Sequence, residues 1–443
     1  MQKSQDSLCP TLRALTAVVE SLQPIRPIGV VTDFAGLLVE SEGPLASIGD
    51  ICKVQTSDGS IRTQVVGFRS GRVLSMPLEE TVGLQPGSPI AAHKSASRAP
   101  VGTNLLGRVV DAFGSPIDGL GLLHSTESRD LYSDPPGPME RAAIDEPIVT
   151  GVRVIDGLLP CGKGQRVGIF GGAGVGKSTL LGALARNSSS QVNVVALIGE
   201  RNREVRAFLE ETLGPEGRAK SVIVAATSDR PAPVRVRAAF LAATVADWFR
   251  EQGKDVLLIL DSVTRLAMAQ REIGLAVGEP PSQKGYTPSV FQMLPRLFER
   301  AGKYSSGSVT GFYTVLMEGD DINDPIADAA RSLLDGHIVL SRDLAEAGQF
   351  PAIDALESLS RLSAAVASTE HVERANRLRE SMAAYRRSED LINLGAYAGG
   401  SNPQVDAAVR SRDDVVGFLK QDLAEAHSLE DTLDQLRALA EIL

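Results

Sequence analysis

The sequence predicts an α/β protein in which a mostly parallel sheet, covered by helices, is preceded by a small β-barrel and followed by a helical domain. Three patterns carry that expectation. Between residues 165 and 340, short continuous apolar runs alternate with helical stretches, as in a parallel sheet buried on both faces. From residue 28 to 93, short β-rich runs are punctuated by Gly, Asp-Gly and Pro, which suits a small barrel or sandwich. From about Ser363 the chain is charged and helical, with no strand pattern. At 443 residues the chain is also too long for one ordinary core.

Taken in order, residues 1–22 place Leu12, Leu15, Val18, Val19 and Leu22 at helical spacing after Pro10. Such a stripe either packs on its own domain or docks a partner. Residues 94–150 read as an extended connector, and Pro135-Pro136-Gly137-Pro138 is expected to cross the surface. Residues 165–170 (QRVGIF) suit a buried strand. Further strands are expected at 192–199, 221–226, 256–260, 309–317 and 337–340, with helices at 203–213 and 234–251. The expected division is a helix at 1–22, the barrel at 23–95, a nucleotide-binding domain at 96–362 and the helical domain at 363–443.

The bulk numbers exclude some classes. Lys plus Arg is 45 against 55 Asp plus Glu, a net charge of −10, which argues against a general binder of nucleic acid or anionic membranes. Aromatic residues are only 4% of the chain, so stacking platforms for single strands are scarce too. Cys9, Cys52 and Cys161 are widely spaced, and form neither a disulfide framework nor a zinc pattern. Reduced thiols and a cytoplasmic location are therefore expected. No apolar run approaches the length needed to span a bilayer.

The chemistry centres on Gly171-Gly172-Ala173-Gly174-Val175-Gly176-Lys177-Ser178, which fits G-x-x-x-x-G-K-[S/T] between a strand and a helix opened by Thr179. Glycines let backbone N–H groups face phosphate, and the helix N-terminus adds partial positive charge. Lys177 would reach the β- and γ-phosphates, and the Ser178 hydroxyl would ligate Mg²⁺. Residues 256–261 (VLLILD) run four hydrophobes into Asp261, a second candidate for Mg²⁺. Glu200 follows the strand at 192–199, on the edge where ligands sit, and can polarise an attacking water. It is alternatively a neighbour of a helix N-cap, or an ion-pair partner of Arg203. Arg361 is an available cation for transferring charge, though the residues alone fit a surface ion pair equally well.

These residues, with Gly199-Glu200-Arg201, Arg265 in Asp-Ser-Val-Thr-Arg, and Pro351-Ala352-Ile353-Asp354-Ala355-Leu356-Glu357-Ser358-Leu359-Ser360, resemble the rotary ATP synthase α/β family. Within it the chain is most similar to the ATPases of flagellar type III protein export, on the runs 267–273, 278–286, 312–321, 324–328 and 334–342. The resemblance implies a P-loop, RecA-like ATPase core binding ATP and Mg²⁺, and a homohexamer with ATP between subunits. It implies Glu200 as the catalytic carboxylate, Arg361 as an arginine finger from the neighbour, and Arg201 and Arg265 as supports around the γ-phosphate. Phe350 would lie against adenine. The loop at 279–284 would face a central pore holding a coiled-coil stalk protein, and residues 1–22 would dock a regulatory stator-like protein. Export-gate membrane proteins and chaperone–substrate complexes are the further implied partners, met at the inner membrane; nucleic acid is not among them.

Two positions depart from the family pattern. Gln349-Phe350 stands where His-Tyr is usual, which keeps stacking and removes a hydroxyl, and Leu266 replaces a common aromatic. Other readings remain: export by a virulence apparatus, a catalytic subunit of a rotary ATP synthase, a nucleotide-binding subunit without hydrolysis, and a hexameric RNA translocase. Glu200 speaks against the third, and the acidic, aromatic-poor composition against the last.

Overall fold

The computed structural model describes residues 28–93, 97–124, 126–317, 324–422 and 424–443. The helix expected over residues 1–22 lies outside the described residues. The chain divides into two compact units, residues 1–97 and 98–443, taken separately below.

In the first unit, β1 (Ile28–Ala35), β2 (Leu38–Glu42), β3 (Ile51–Thr56), β4 (Gly59–Arg69), β5 (Arg72–Pro77) and β6 (Pro89–His93) close into a barrel in the order β1-β2-β5-β4-β3-β6. Every pairing is antiparallel. Val31, Val39, Cys52, Val54, Val65, Val73 and Ile90 fill the interior, so β-branched residues supply most of the core. Closure removes the exposed edges that a flat sheet would leave.

The second unit is built on a sheet of β7 (Val109–Val110), β8 (Arg166–Gly171), β9 (Val192–Ile198), β10 (Ser221–Ala226), β11 (Asp255–Asp261), β12 (Ser308–Leu316), β13 (Gly336–Leu340) and β14 (Ile353–Ser360). Their order is β14-β13-β8-β12-β11-β9-β10-β7, with a stub at Gly302–Lys303 against β12. β14 and the stub are antiparallel to their neighbours, and the other pairs are parallel. Every residue of β9 and β10 is buried, as two covered faces require. Helices α1 (Arg153–Leu158), α2 (Lys177–Asn187), α3 (Asn202–Ala207), α4 (Ala232–Glu251) and α5 (Val263–Val277) come before β12. After it come α6 (Pro325–Leu333), α7 (Thr369–Asn393), α8 (Pro403–Arg410), α9 (Arg412–Leu419) and α10 (Leu429–Ile442).

Local chemistry sets the helix ends. The Ser262 hydroxyl accepts from Arg265 N at 3.3 Å to start α5, and Gly278, at φ 92°, stops it in a left-handed turn. The loop that follows is tied down at both ends. Glu279 Oε2 accepts from Ser289 N at 3.1 Å, and Lys284 Nζ lies 3.2 Å from Asp324, the N-cap of α6. The C-terminal helices share the sheet's core: one continuous apolar cluster joins Val167, Ile169 and Ile338 to Leu378, Phe418, Leu436 and Leu439.

Three sequence expectations need correction. The connector over 94–150 contributes a strand, because β7 pairs through Val109 and Val110 with Ile223 and Val224. Two residues are too few to show a pattern. The helix expected over 203–213 is α3 followed by a π-turn at Phe208–Leu213, whose Thr212 occupies the space left by Gly182 of α2. The Pro351-Ala352-Ile353-Asp354 run, for which the pattern suggested no strand, leads straight into β14, whose first three residues are all buried and so show no alternation. No described helix is long and apolar enough to cross a membrane.

A partly buried ion pair pins the edge strand. Arg108 Nε donates to Asp118 Oδ2 at 2.8 Å, and Asp118 also accepts from Val109 N and Leu120 N. The guanidinium bond holds the Asp118 carboxyl well below the usual range. Asp118→Ala should destabilise this unit by about 1–2 kcal/mol, since it leaves two backbone N–H groups without their acceptor. Urea unfolding followed by the fluorescence of Trp248, the protein's one tryptophan, measures this. The shortfall should shrink below about pH 4, where the wild-type carboxyl starts to protonate in the unfolded chain.

Candidate functional site

Parallel pairing brings several strand ends to one edge. Gly171 of β8 lies opposite Leu316 of β12, and Leu197 of β9 opposite Asp261 of β11. The predicted loop follows β8 at this edge. A Cβ on Gly171 would sit 2.9 Å from Leu340 Cβ, so only glycine fits, while Gly174 and Gly176 both have φ 84°. Gly172 and Val175 are buried, and Val175 anchors the loop in the core. Ala173, Gly174, Ser178 and Thr179 are exposed. Leu180 N donates to Gly176 O at 3.0 Å as α2 begins, and Gly176 offers no capping side chain to the N–H groups before it. Those donors and the helix dipole make an anion site.

Two carboxylates and two cations meet above the loop. Lys177 Nζ donates to Asp261 Oδ1 at 2.6 Å and lies 3.9 Å from Glu200 Oε1. Thr314 Oγ1 donates to the same Asp261 oxygen at 2.7 Å. Glu200 Oε1 is buried without a hydrogen-bond partner, as is Arg265 Nε. Arg265 packs its stem on Gly199, where a Cβ would lie 2.9 Å from Arg265 Cβ. Burial first, then the Asp261 charge, pushes the Glu200 carboxyl up to about 7, against the pull of Lys177 and Arg265. Glu204 shares a hydrogen bond with it and is held low, so the proton resides on Glu200.

The other predicted residues lie apart from this cluster. The Arg201 side chain is 73% exposed and pairs with Glu204 at 3.1 Å, so in this chain it turns to solvent and not to the loop. Arg361 is exposed at the opposite edge of the sheet. Ser360 pairs with Gly336, which pairs with Val167 near the start of β8, and Arg361 N donates to Asp335 O at 2.9 Å. The length of β8, roughly 16 Å, separates it from its own phosphate loop. Phe350 flanks the loop: a Cβ on Gly176 would lie 3.4 Å from its ring, which is 44% exposed. Beside it opens a cavity of about 360 Å³ lined by Arg153, Gly348, Lys420, Gln421, Asp422, Glu425 and His427. Sequence reading missed these last residues and Thr314. Thr314 is an ordinary strand residue by pattern, and Arg153 and Gln421 are brought together across 268 residues.

The Ser178 hydroxyl and the Asp261 carboxylate suit a Mg²⁺ held mainly by phosphate oxygens, where a hydroxyl and a strand-end acid suffice. The described residues hold no cluster of three or more His, Cys, Asp or Glu suited to a metal. A phosphate loop, a strand-end aspartate and a proton-holding glutamate on one sheet edge define a P-loop ATPase.

Comparison with known proteins places it further. Residues 31–92 match the β-barrel domain and residues 151–360 the nucleotide-binding domain of the ATP synthase alpha/beta family, and residues 367–438 match the T3SS EscN ATPase C-terminal domain. The chain is 48% identical over 430 residues to the flagellum-specific ATP synthase of Bacillus subtilis (strain 168), covering 96% of this chain and 98% of the relative. It is also 48% identical over 419 residues to the type 3 secretion system ATPase of Pseudomonas syringae pv. tomato (strain DC3000), covering 93% of each. Among solved structures it resembles the assembled ATPase EscN in complex with its central stalk EscO, from the enteropathogenic E. coli type III secretion system. The TM-score is 0.86 at 42% identity, over 93% of this chain and 100% of that one. The chain belongs to the ATP synthase alpha/beta family, alongside the flagellum-specific and type 3 secretion ATPases.

Ionising a buried Glu200 costs the folded state. With a folded pKa of about 7 against 4.5 for the free side chain, its contribution is favourable at low pH and is lost as pH rises through 7. Glu200→Gln should therefore be more stable than wild type at pH 8 by about 2 kcal/mol relative to the same comparison at pH 5. Thermal unfolding of both proteins at the two pH values checks this.

Proposed function

We propose that the chain hydrolyses ATP to drive protein export through a flagellar type III apparatus, as a homohexameric ring whose sites lie between subunits. The observation that carries this is the split of the machinery across one sheet. The phosphate loop, Asp261, Glu200 and Arg265 share one edge, while Arg361 sits exposed at the other. Copies stacked edge to edge would bring the Arg361 of one to the phosphates of the next.

In such a site, residues 171–179 cradle the phosphates and Lys177 moves from Asp261 to the β- and γ-oxygens. Ionised Glu200 orients and polarises the attacking water. Arg265, whose Nε has no partner of its own, and the neighbour's Arg361 neutralise charge on the γ-phosphoryl. Ser178 and Asp261 would hold Mg²⁺, which would supply neutralisation of phosphate charge. The Phe350 ring stacks on adenine. Arg201 would join only by leaving Glu204.

The loop at 279–284 is the contact for a coiled-coil stalk, and residues 1–22 are the contact for a stator-like regulator; the similar ATPase EscN has been solved in complex with its central stalk EscO. Export-gate proteins and chaperone–substrate complexes are the remaining partners of a cytoplasmic ring at the inner membrane. The division at 22, 95 and 362 goes with these roles. The chain is 48% identical both to a flagellum-specific relative and to a type 3 secretion relative, and complementation separates the two export systems. Expression in a strain lacking its flagellar ATPase should restore motility; restoration of effector secretion in the virulence counterpart, without motility, would reverse the assignment.

Glu200→Gln should lower kcat by about 100-fold or more, with KM for ATP within a few-fold. Arg361→Ala should be similarly impaired, yet mixing the two variants should regain turnover, because one interface type then joins an intact Glu200 to an intact Arg361. Phosphate release against mixing ratio reads this directly, and a mixture no better than its components would exclude the shared site.

A further inference from the structure

The base side of the pocket is assembled by a segment distant in sequence from the phosphate loop. Gln421, only 7% exposed, engages both amide hydrogens and its side-chain oxygen there. Its Oε1 accepts from Arg153 N at 2.8 Å, and its Nε2 donates to Gly151 O at 2.8 Å and Glu425 O at 3.0 Å. Its backbone N–H donates to Phe350 O at 2.9 Å. One residue thus joins the turn before α1, the backbone of Phe350 and the segment at 420–427.

Each strut is itself braced. Asp156 accepts from Thr150 N at 2.9 Å, Thr150 Oγ1 at 2.7 Å and Gly151 N at 2.9 Å, which fixes the turn that Gln421 grips. Arg153 Nη1 donates to Gln435 Oε1 of α10 at 2.8 Å, its Nη2 donates to Lys420 O, and its guanidinium lies 5.9 Å from the Phe418 ring centre. None of these groups belongs to the phosphate loop. The Phe350 ring is nearly half exposed, so packing alone does not hold it. Its place beside Gly176 is set through its backbone, and Gln421 holds that backbone.

We infer that Gln421, braced by Arg153, is a positioning residue for the nucleotide base, holding the Phe350 ring ready so that binding has no ordering cost to meet. The inference deepens the ATP-site reading and rests on it. Losing the clamp weakens the grip on the base and leaves the triphosphate contacts as they were. It also ties base affinity to the last helix, through Gln435.

The test compares ATP with inorganic tripolyphosphate, which lacks a base, on the full chain. Gln421→Met keeps the volume and removes the three side-chain bonds. It should raise both KM and the calorimetric Kd for ATP about tenfold, equivalent to about 1.4 kcal/mol. It should leave kcat within twofold and the tripolyphosphate inhibition constant unchanged. Phe350→Ala should raise KM to a similar degree, and the double variant should add little to either. An unchanged ATP affinity, a parallel loss for tripolyphosphate, or full additivity would each overturn the inference. Should Gln421→Met fail to fold by Trp248 emission, Gln435→Ala, which cuts one brace at a half-buried site, should raise ATP Kd about threefold with tripolyphosphate unaffected, and no rise overturns it. A wild-type chain that binds ATP without turnover would sink the hydrolysis reading and still test the clamp through Kd.

Discussion

One ammonium group organises the site. Lys177 lies between Asp261 and Glu200, two carboxylates that would otherwise repel across a buried space, and its charge is what lets them share it. The sharing is unequal. Asp261 receives both the short Lys177 bond and the Thr314 hydroxyl, while Glu200 keeps an unpartnered oxygen and an elevated pKa. Under the proposed reading, the acid assigned a fixed charge has its bonds satisfied, and the acid assigned to a water does not. The strand register places Asp261 opposite Leu197 at the end of β9, and Glu200 follows three residues later across the φ 72° turn at Gly199.

The sheet also explains why the site reaches so far through the molecule. α5 leaves Asp261 and Ser262 at the phosphate edge, carries Arg265 on its first turn, and ends at Gly278 beside the loop tied by Glu279 and Lys284. At about 1.5 Å per residue this helix is a rigid rod of roughly 22 Å with one end in the chemistry. The C-terminal helices are likewise attached to the core by a common apolar cluster and by His371, whose ring nitrogen lies 2.8 Å from Gly157 O.

The phosphate loop was readable because backbone geometry dictates its residues: no side chain fits at Gly171, and the φ values at Gly174 and Gly176 suit glycine. Asp261 was readable because a fully buried strand ending in an acid leaves that acid at the sheet edge. Glu200 was placed correctly at that edge, but its unpaired oxygen depends on Lys177 favouring Asp261, which no local pattern encodes. Arg201 illustrates the converse, since an (i, i+3) partner in Glu204 competes for it. The barrel followed from short β-rich runs punctuated by turn residues, and the parallel sheet from continuous apolar runs. The two-residue β7, the π-turn and the Gln421 contacts did not, because each is fixed by contacts between segments that carry no periodicity of their own.

The antiparallel course of β14 has a cellular meaning under the proposed reading. By returning the chain to the far side of the sheet before Arg361, it ensures that a solitary copy never assembles both halves of its own engine. Newly made subunits would therefore idle in the presence of abundant fuel, and combustion would begin only where the ring is built.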